Sequence, residues 1–309
     1  ISCSLVGSEM CIRDRQIIEI LRKEAVPALG CTEPVACALA CAKCKEVLGS
    51  VPERLDVLVS GNIYKNGMGV GIPGTGMVGL PIAAALGAVC GKSEYGLEVL
   101  KEVNVGDNLQ RAKDMLGQVT VSLKEDAPDK LYAEALATKG NDTVKVIIAH
   151  THTNIVLVEK NGEEIFKREF RLDTSKPEDK GPELSVKRIW DFVHEVDVKD
   201  IEFVLQGAEM NKAISAEGLN SEYGLQIGKT LKENIDKGLL EDDLLNRTLI
   251  RATAASDARM DGCPKPVMTN SGSGNQGITV YLPVVVAAEK FGASREQLAR
   301  ALALSNLIA

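Results

Sequence analysis

Apolar positions along the chain change their period twice. In residues 16–28, Ile17, Ile18, Leu21 and Ala25 share one face with charges opposite, the spacing of an amphipathic helix. Leu29-Gly30 breaks that pattern and leads into Cys31, with Thr32 as the expected N-cap and Pro34 tolerated in the first turn of an Ala-rich helix over 35–48. A β-branched-rich strand is predicted over 54–60. A Gly-rich loop over 61–79 carries Asn62, Lys65 and Asn66, and an apolar helix follows over 80–89. Two further helices are expected over 97–103 and 108–116. From Val119 the alternation becomes that of strands, predicted over 119–123, 131–138, 143–150, 154–160 and 164–170. Asn161-Gly162 is a two-residue hairpin signal between the last two. After a polar linker over 173–181, helical spacing resumes over 186–196, 198–214, 225–237, 244–260, 277–288 and 295–309, with a Gly/Pro/Ser/Asn loop over 261–275.

Helices, then strands, then helices predict an α+β fold: a helical catalytic domain over 16–118 and 182–309, with an antiparallel β-sheet and linker inserted over 119–181. Residues 1–15 are set aside as an adapter-derived segment, and Cys3 and Cys11 go with them. The apolar run ending at Ala309 has no stop signal, so the chain reads as truncated at its C-terminus.

A net charge of −7 argues against nucleic acid or an anionic membrane as partner, and no apolar run is long enough to span a bilayer. Eight cysteines without a secretory signal lead us to expect a reducing, cytoplasmic setting in which thiols serve metal binding or catalysis.

Cys31 precedes a helix N-terminus, where the dipole favours thiolate; it reads equally as a catalytic thiol or as a buried structural one. Cys37, Cys41 and Cys44 have the C-x3-C-x2-C spacing of a radical-SAM cluster loop. On a strong helix, however, they form one stripe at i, i+4, i+7, which is core packing. Gly74–Gly79 and Gly272–Gly277 both match G-x-G-x-x-G, but neither follows a strand, which argues against a dinucleotide. As glycine loops entering helices they either cradle a small anion or simply turn. Lys65 is either a partner for a substrate carboxylate or a solvated lysine. His150 and His152 share one strand face, but without a third ligand they read as hydrogen-bonding groups, and His194 reads as structural. Cys263 lies in a Gly/Pro loop and is free to point at a metal, yet one cysteine cannot hold a cluster.

Six blocks in register bring a family resemblance. They are Gly30-Cys-Thr-Glu-Pro34, Lys65-Asn-Gly-Met-Gly69, Ile72-Pro-Gly-Thr-Gly-Met-Val-Gly-Leu-Pro81, His152-Thr-Asn-Ile155, Ala255-Ser-Asp-Ala-Arg-Met260 and Asn270-Ser-Gly-Ser-Gly-Asn-Gln-Gly277. Together they resemble the L-cysteine desulfidase family, which is related to the alpha chain of the iron–sulfur L-serine dehydratases. The resemblance implies an oxygen-sensitive 4Fe-4S lyase that converts L-cysteine to pyruvate, ammonia and sulfide without pyridoxal phosphate. It implies Cys31 as the base at the α-proton and Cys263 as the first of three cluster cysteines, the other two expected beyond Ala309. The expected substrate-binding set is Glu33, Asn62, Lys65, Asn66, Thr75, Ser271, Ser273 and Asn275. Two other readings stay open: an L-serine dehydratase with the same machinery, and a non-catalytic amino-acid-binding protein. The expected partner is a small amino acid, with further copies of the chain as an open alternative.

Overall fold

The computed structural model describes residues 12–168 and 184–309. The first helix, α1, runs Ile12–Glu24, so its first turn falls in the segment set aside above, and Asp14 there accepts from Arg188 Nη2 at 2.6 Å. It ends earlier than the apolar period suggested. Pro27 disfavours helical geometry before it, and the chain turns into a short strand, β1 (Pro27–Ala28).

The next helix, α2 (Thr32–Leu48), is the centre of the first lobe. From Pro34 to Ala42 it is apolar and buried all round, and Lys43, Lys45 and Glu46 come only in its last turns. One side packs on α4 (Leu80–Val89), where a Cβ on Gly87 would collide with the Ala38 carbonyl; that glycine sets the distance between the helices. The other side lies on a six-stranded sheet. Cys44 donates to the carbonyls of Ala135 and Val144 at 3.5 and 3.6 Å, and Cys37, Cys41 and Cys44 are all fully buried. The cysteine stripe is packing.

The sheet is built from β2 (Arg54–Val59), β5 (Val119–Leu123), β6 (Tyr132–Lys139), β7 (Asp142–Ala149), β8 (Ile155–Lys160) and β9 (Glu163–Lys167), in the order β5-β2-β6-β7-β8-β9. The sequence reading expected an antiparallel sheet drawn from residues after Val119. The observed sheet is mixed: β2 runs parallel to β5 and antiparallel to β6. Leu55, Val57 and Val59 point inward under the helices, so this early strand shares the core of the later ones. The Asn161-Gly162 hairpin forms as expected, both residues at positive φ and Lys160 paired with Glu163. The predicted linker over 173–181 lies outside the described residues.

Three short elements complete this lobe: a seven-residue helix α3 (Gly61–Gly67), and the paired strands β3 (Gly71–Ile72) and β4 (Met77–Val78). Thus Asn62, Lys65 and Asn66 sit on a helix turn rather than in the expected loop. The helix expected over 97–103 is replaced by a 3-10 segment, Ser93–Glu98, interrupted at Gly96, before α5 (Asn108–Met115).

The second lobe is helical. It holds α6 (Val186–Glu195), α7 (Val198–Ile201), α8 (Val204–Asn220), α9 (Ile227–Asp236), α10 (Leu244–Met260), α11 (Gly274–Phe291) and α12 (Arg295–Ile308). Its apolar clusters are separate from that of the first lobe. Backbone pairing joins the lobes. Strand β10 (Val267–Met268) runs antiparallel to β1, Thr269 N donates to Val26 O at 2.9 Å, and Gly71 bridges to Asp261. A Cβ on Gly71 would collide with the Asp261 backbone, so this crossing requires glycine. No helix among the described residues is long and apolar enough to cross a membrane.

Candidate active site

The seam between the lobes gathers the reactive groups. Gly30, at φ +77°, turns the chain from β1 into α2, and its missing Cβ leaves room for the ring of Pro73. Cys31 itself, in extended backbone, is the N-cap of α2, not Thr32; its side chain makes no capping bond. It donates instead to Glu33 Oε2 at 2.8 Å. Thr32 Oγ1 donates to the same oxygen at 3.3 Å, and Asn66 Nδ2 donates to Oε1 at 3.1 Å. The carboxylate therefore sits at the N-terminus of a 17-residue helix with three side-chain donors around it.

The thiol does not ionise as the helix dipole alone suggested. Burial and then the charge of Glu33 push Cys31 from 9.0 up to about 12, against an opposing pull from Arg259. That rise disfavours thiolate by roughly 4 kcal/mol, while a helix N-terminus returns at most about 2. Desolvation wins, and the resting group is a thiol. Glu33 moves the other way: burial would raise it, but the hydrogen bonds from Cys31, its own backbone and Asn66 hold it below its ordinary value.

Arg259, in the last turn of α10, reaches the same place. It is 4 % exposed, and its Nη1 donates to Asn275 Oδ1 at 3.0 Å and to Met260 Sδ at 3.5 Å. Nε is buried without an acceptor. Burial pulls its affinity for the proton down while Cys31 and Glu33 pull it up; a guanidinium stays charged throughout. His152, just past β7, feels both groups: burial lowers it, Glu33 opposes and Arg259 adds. His150 turns elsewhere, at φ +70° with Nδ1 2.7 Å from Asp129, so the two histidines do not act as a pair.

The loop before α11 forms the opposite wall. Asn270 is held by Asn306 and Gln276, and Ser273 caps α11 by accepting from Gln276 N at 3.3 Å. Ser271 Oγ donates to Asn270 Oδ1 at 3.1 Å. Thr75, on the first glycine loop, spends its hydroxyl on its own turn, donating to Ile72 O at 2.7 Å and accepting from Met77 N at 2.9 Å. Asn62 and Lys65 are exposed on α3. Of the expected substrate-binding residues, Glu33 thus meets Cys31, Asn66 meets Glu33, and Asn275 meets Arg259. Sequence reasoning missed Arg259 and His152 as site residues. Both lie inside quoted blocks, but nothing in their spacing shows that they converge on Cys31.

Cys263 is fully buried among Ile214, Ala255, Ala258, Val267, Ile278 and Leu282. Burial raises its thiol, with Lys265 N–H and Tyr223 opposing. Its loop abuts the first glycine loop, where Gly74 N donates to Gly262 O at 3.2 Å. A 4Fe-4S cluster takes four thiolates or their equivalents. No group of three or more His, Cys, Asp or Glu is placed to hold a metal among the described residues. The described residues therefore bring one candidate ligand and do not by themselves compose a cluster site. A separate cavity of about 650 Å3 opens between α8, α9, α10 and α11. Its Lys232, Arg247 and Arg251 pair with Asp236, Asp242 and Glu289 of the same wall, which leaves little uncompensated charge.

The chain belongs to the serine dehydratase alpha chain family, whose sequence model matches residues 94–309. Its relatives include the "UPF0597 protein" of Actinobacillus pleuropneumoniae serotype 3 (strain JL03), 49% identical over 298 residues, which span 96% of this chain and 68% of the relative. The "UPF0597 protein" of Dichelobacter nodosus is 48% identical over 298 residues, 96% of this chain and 69% of that one. That of Parabacteroides distasonis is 47% identical over 299 residues, 95% of this chain and 69% of that one. No solved structure matches.

Proposed function

We propose that the protein is a lyase that performs α,β-elimination on a small L-amino acid, with L-cysteine as substrate and pyruvate, ammonia and sulfide as products. The observation that carries this reading is the Cys31–Glu33 contact at 2.8 Å, set beside a buried guanidinium. Family membership supports a lyase of the serine dehydratase kind.

The chemistry needs an acceptor for the α-proton. Cys31 rests as a thiol, so its proton leaves first, to Glu33 Oε2, and Sγ then takes the proton from Cα. The net transfer is from Cα to the Glu33 carboxylate, with sulfur as relay. The Cα–H electron pair becomes the Cα=Cβ bond as Cβ–S breaks and HS⁻ departs. The enamine left behind tautomerises and hydrolyses to pyruvate and ammonium. A substrate ammonium near Sγ lowers the thiol in the same sense as Arg259 does, so binding itself promotes the first transfer. A bound cluster would supply a Lewis acid for the departing sulfur, with Cys263 as its ligand from this region. The six described cysteines are free thiols, which suits a cytoplasmic, reducing setting.

The test is anaerobic turnover of L-cysteine and L-serine by the full chain. Pyruvate with equimolar sulfide from L-cysteine supports the reading. Preferential pyruvate formation from L-serine would make it a serine dehydratase. Tight L-cysteine binding with no turnover and no iron would make it a binding protein.

A further inference from the structure

We propose that Arg259 is the carboxylate-binding residue of this site, gripping the α-carboxylate of a small amino acid whose Cα lies over Cys31. The proposal rests on the lyase reading only for the location of Cα; the anion site itself stands on the geometry.

A buried arginine normally faces a carboxylate, because an isolated charge in a dry interior is costly. Among the described residues none lies within ion-pair distance of Arg259; Glu33 influences it only through the field. Nη1 donates to Asn275 and Met260, and the thiol of Cys31 also lies within hydrogen-bonding reach of the group. Nε, one of the two donors on the edge that matches the two oxygens of a carboxylate, is buried with its proton unused.

Gly274 explains how that edge is kept clear. A Cβ there would collide with Nε and stand 2.6 Å from Cζ and 2.8 Å from Nη2. Gly274 is also the first residue of the 18-residue α11, capped by Ser273, so the positive end of that helix lies against the same guanidinium. Two cationic features therefore converge, and no carboxylate among the described residues forms an ion pair with the guanidinium. Lys65, the cation expected from the sequence, is exposed on α3 instead.

The experiment measures equilibrium binding, not turnover, by calorimetry on the full chain with L-cysteine, with 3-mercaptopropionate (carboxylate, no amine) and with cysteamine (amine, no carboxylate). The wild-type protein binds both carboxylates at least tenfold more tightly than cysteamine. Arg259→Gln weakens both by roughly 10- to 100-fold and leaves cysteamine unchanged, while Arg259→Lys recovers part of the loss. Should Arg259→Gln fail to fold, Asn275→Asp decides. It supplies Nη1 with an internal carboxylate, so the melting temperature rises while the same two ligands lose affinity. A structural arginine would show the rise without the loss. The proposal is overturned if neither carboxylate binds the wild type, if the three ligands weaken together, or if Lys65→Ala removes the carboxylate preference and the Arg259 and Asn275 variants do not. Carboxylate binding that depends on Arg259, with no pyruvate formed from any substrate, supports the anion site and overturns the lyase instead.

Discussion

Cys31 and Cys263 are both buried, both raised by desolvation, and both at the ends of segments that meet near the first glycine loop. Their surroundings differ. Cys263 is walled by aliphatic side chains, with Tyr223 beside it. Cys31 is 6 % exposed and faces a carboxylate that its own proton bridges, with a guanidinium and an imidazole close by. Burial raises a thiol in either setting, so a raised thiol alone says nothing of function. What sets Cys31 apart is a hydrogen-bonded carboxylate, an acceptor within reach of its proton.

The largest expected effect is one that the thiols share. Cys31 and Cys37 sit at about 12 in the folded chain against 9.0 for the free group. Because the folded value is raised, the stabilisation is complete below about pH 9 and is lost as pH climbs toward 12, when the unfolded thiols ionise first. Each such thiol costs about 1.4 kcal/mol near pH 10, which a steep fall of the melting temperature on the alkaline side would register.

Glu33→Gln separates the two thiols. It removes the proton acceptor, so turnover falls by roughly 100-fold. It also removes a negative charge from Cys31, which then alkylates faster near pH 8, about tenfold for each pH unit by which its ionisation moves down. Peptide mapping should show no such change at Cys263. A smaller loss follows Gly274→Ala: overpacking against Arg259 costs about 1–3 kcal/mol by chemical denaturation. The smallest belongs to Lys65→Ala, an exposed position, which should stay within about 0.5 kcal/mol of wild type.

The sequence carried most of the secondary structure. Strong periods survived folding, and so did the hairpin at Asn161-Gly162, whose turn chemistry is local. What escaped was long-range. Nothing near Leu55, Val57 and Val59 says that they pair with residues beyond 119, so the sheet reads as later and purely antiparallel when it is mixed. The cap was misread for a local reason: Cys31 has the extended backbone of an N-cap, but its sulfur answers to Glu33 rather than to the helix. In the site, residues inside short motifs could be named, as with Cys31, Glu33, Asn66 and Asn275. Thr75 and Ser273 could be named too, but their hydroxyls serve a turn and a cap. Arg259 joins from another lobe, and only the fold brings it to Cys31.

Whether sulfur at Cys31 moves the substrate's α-proton is decided by kcat and L-cysteine affinity of Cys31→Ser against wild type, both handled anaerobically. With sulfur as the relay, kcat falls by about 100-fold or more while affinity changes by less than about threefold. Turnover that survives within tenfold, or affinity and turnover that collapse together, would contradict it.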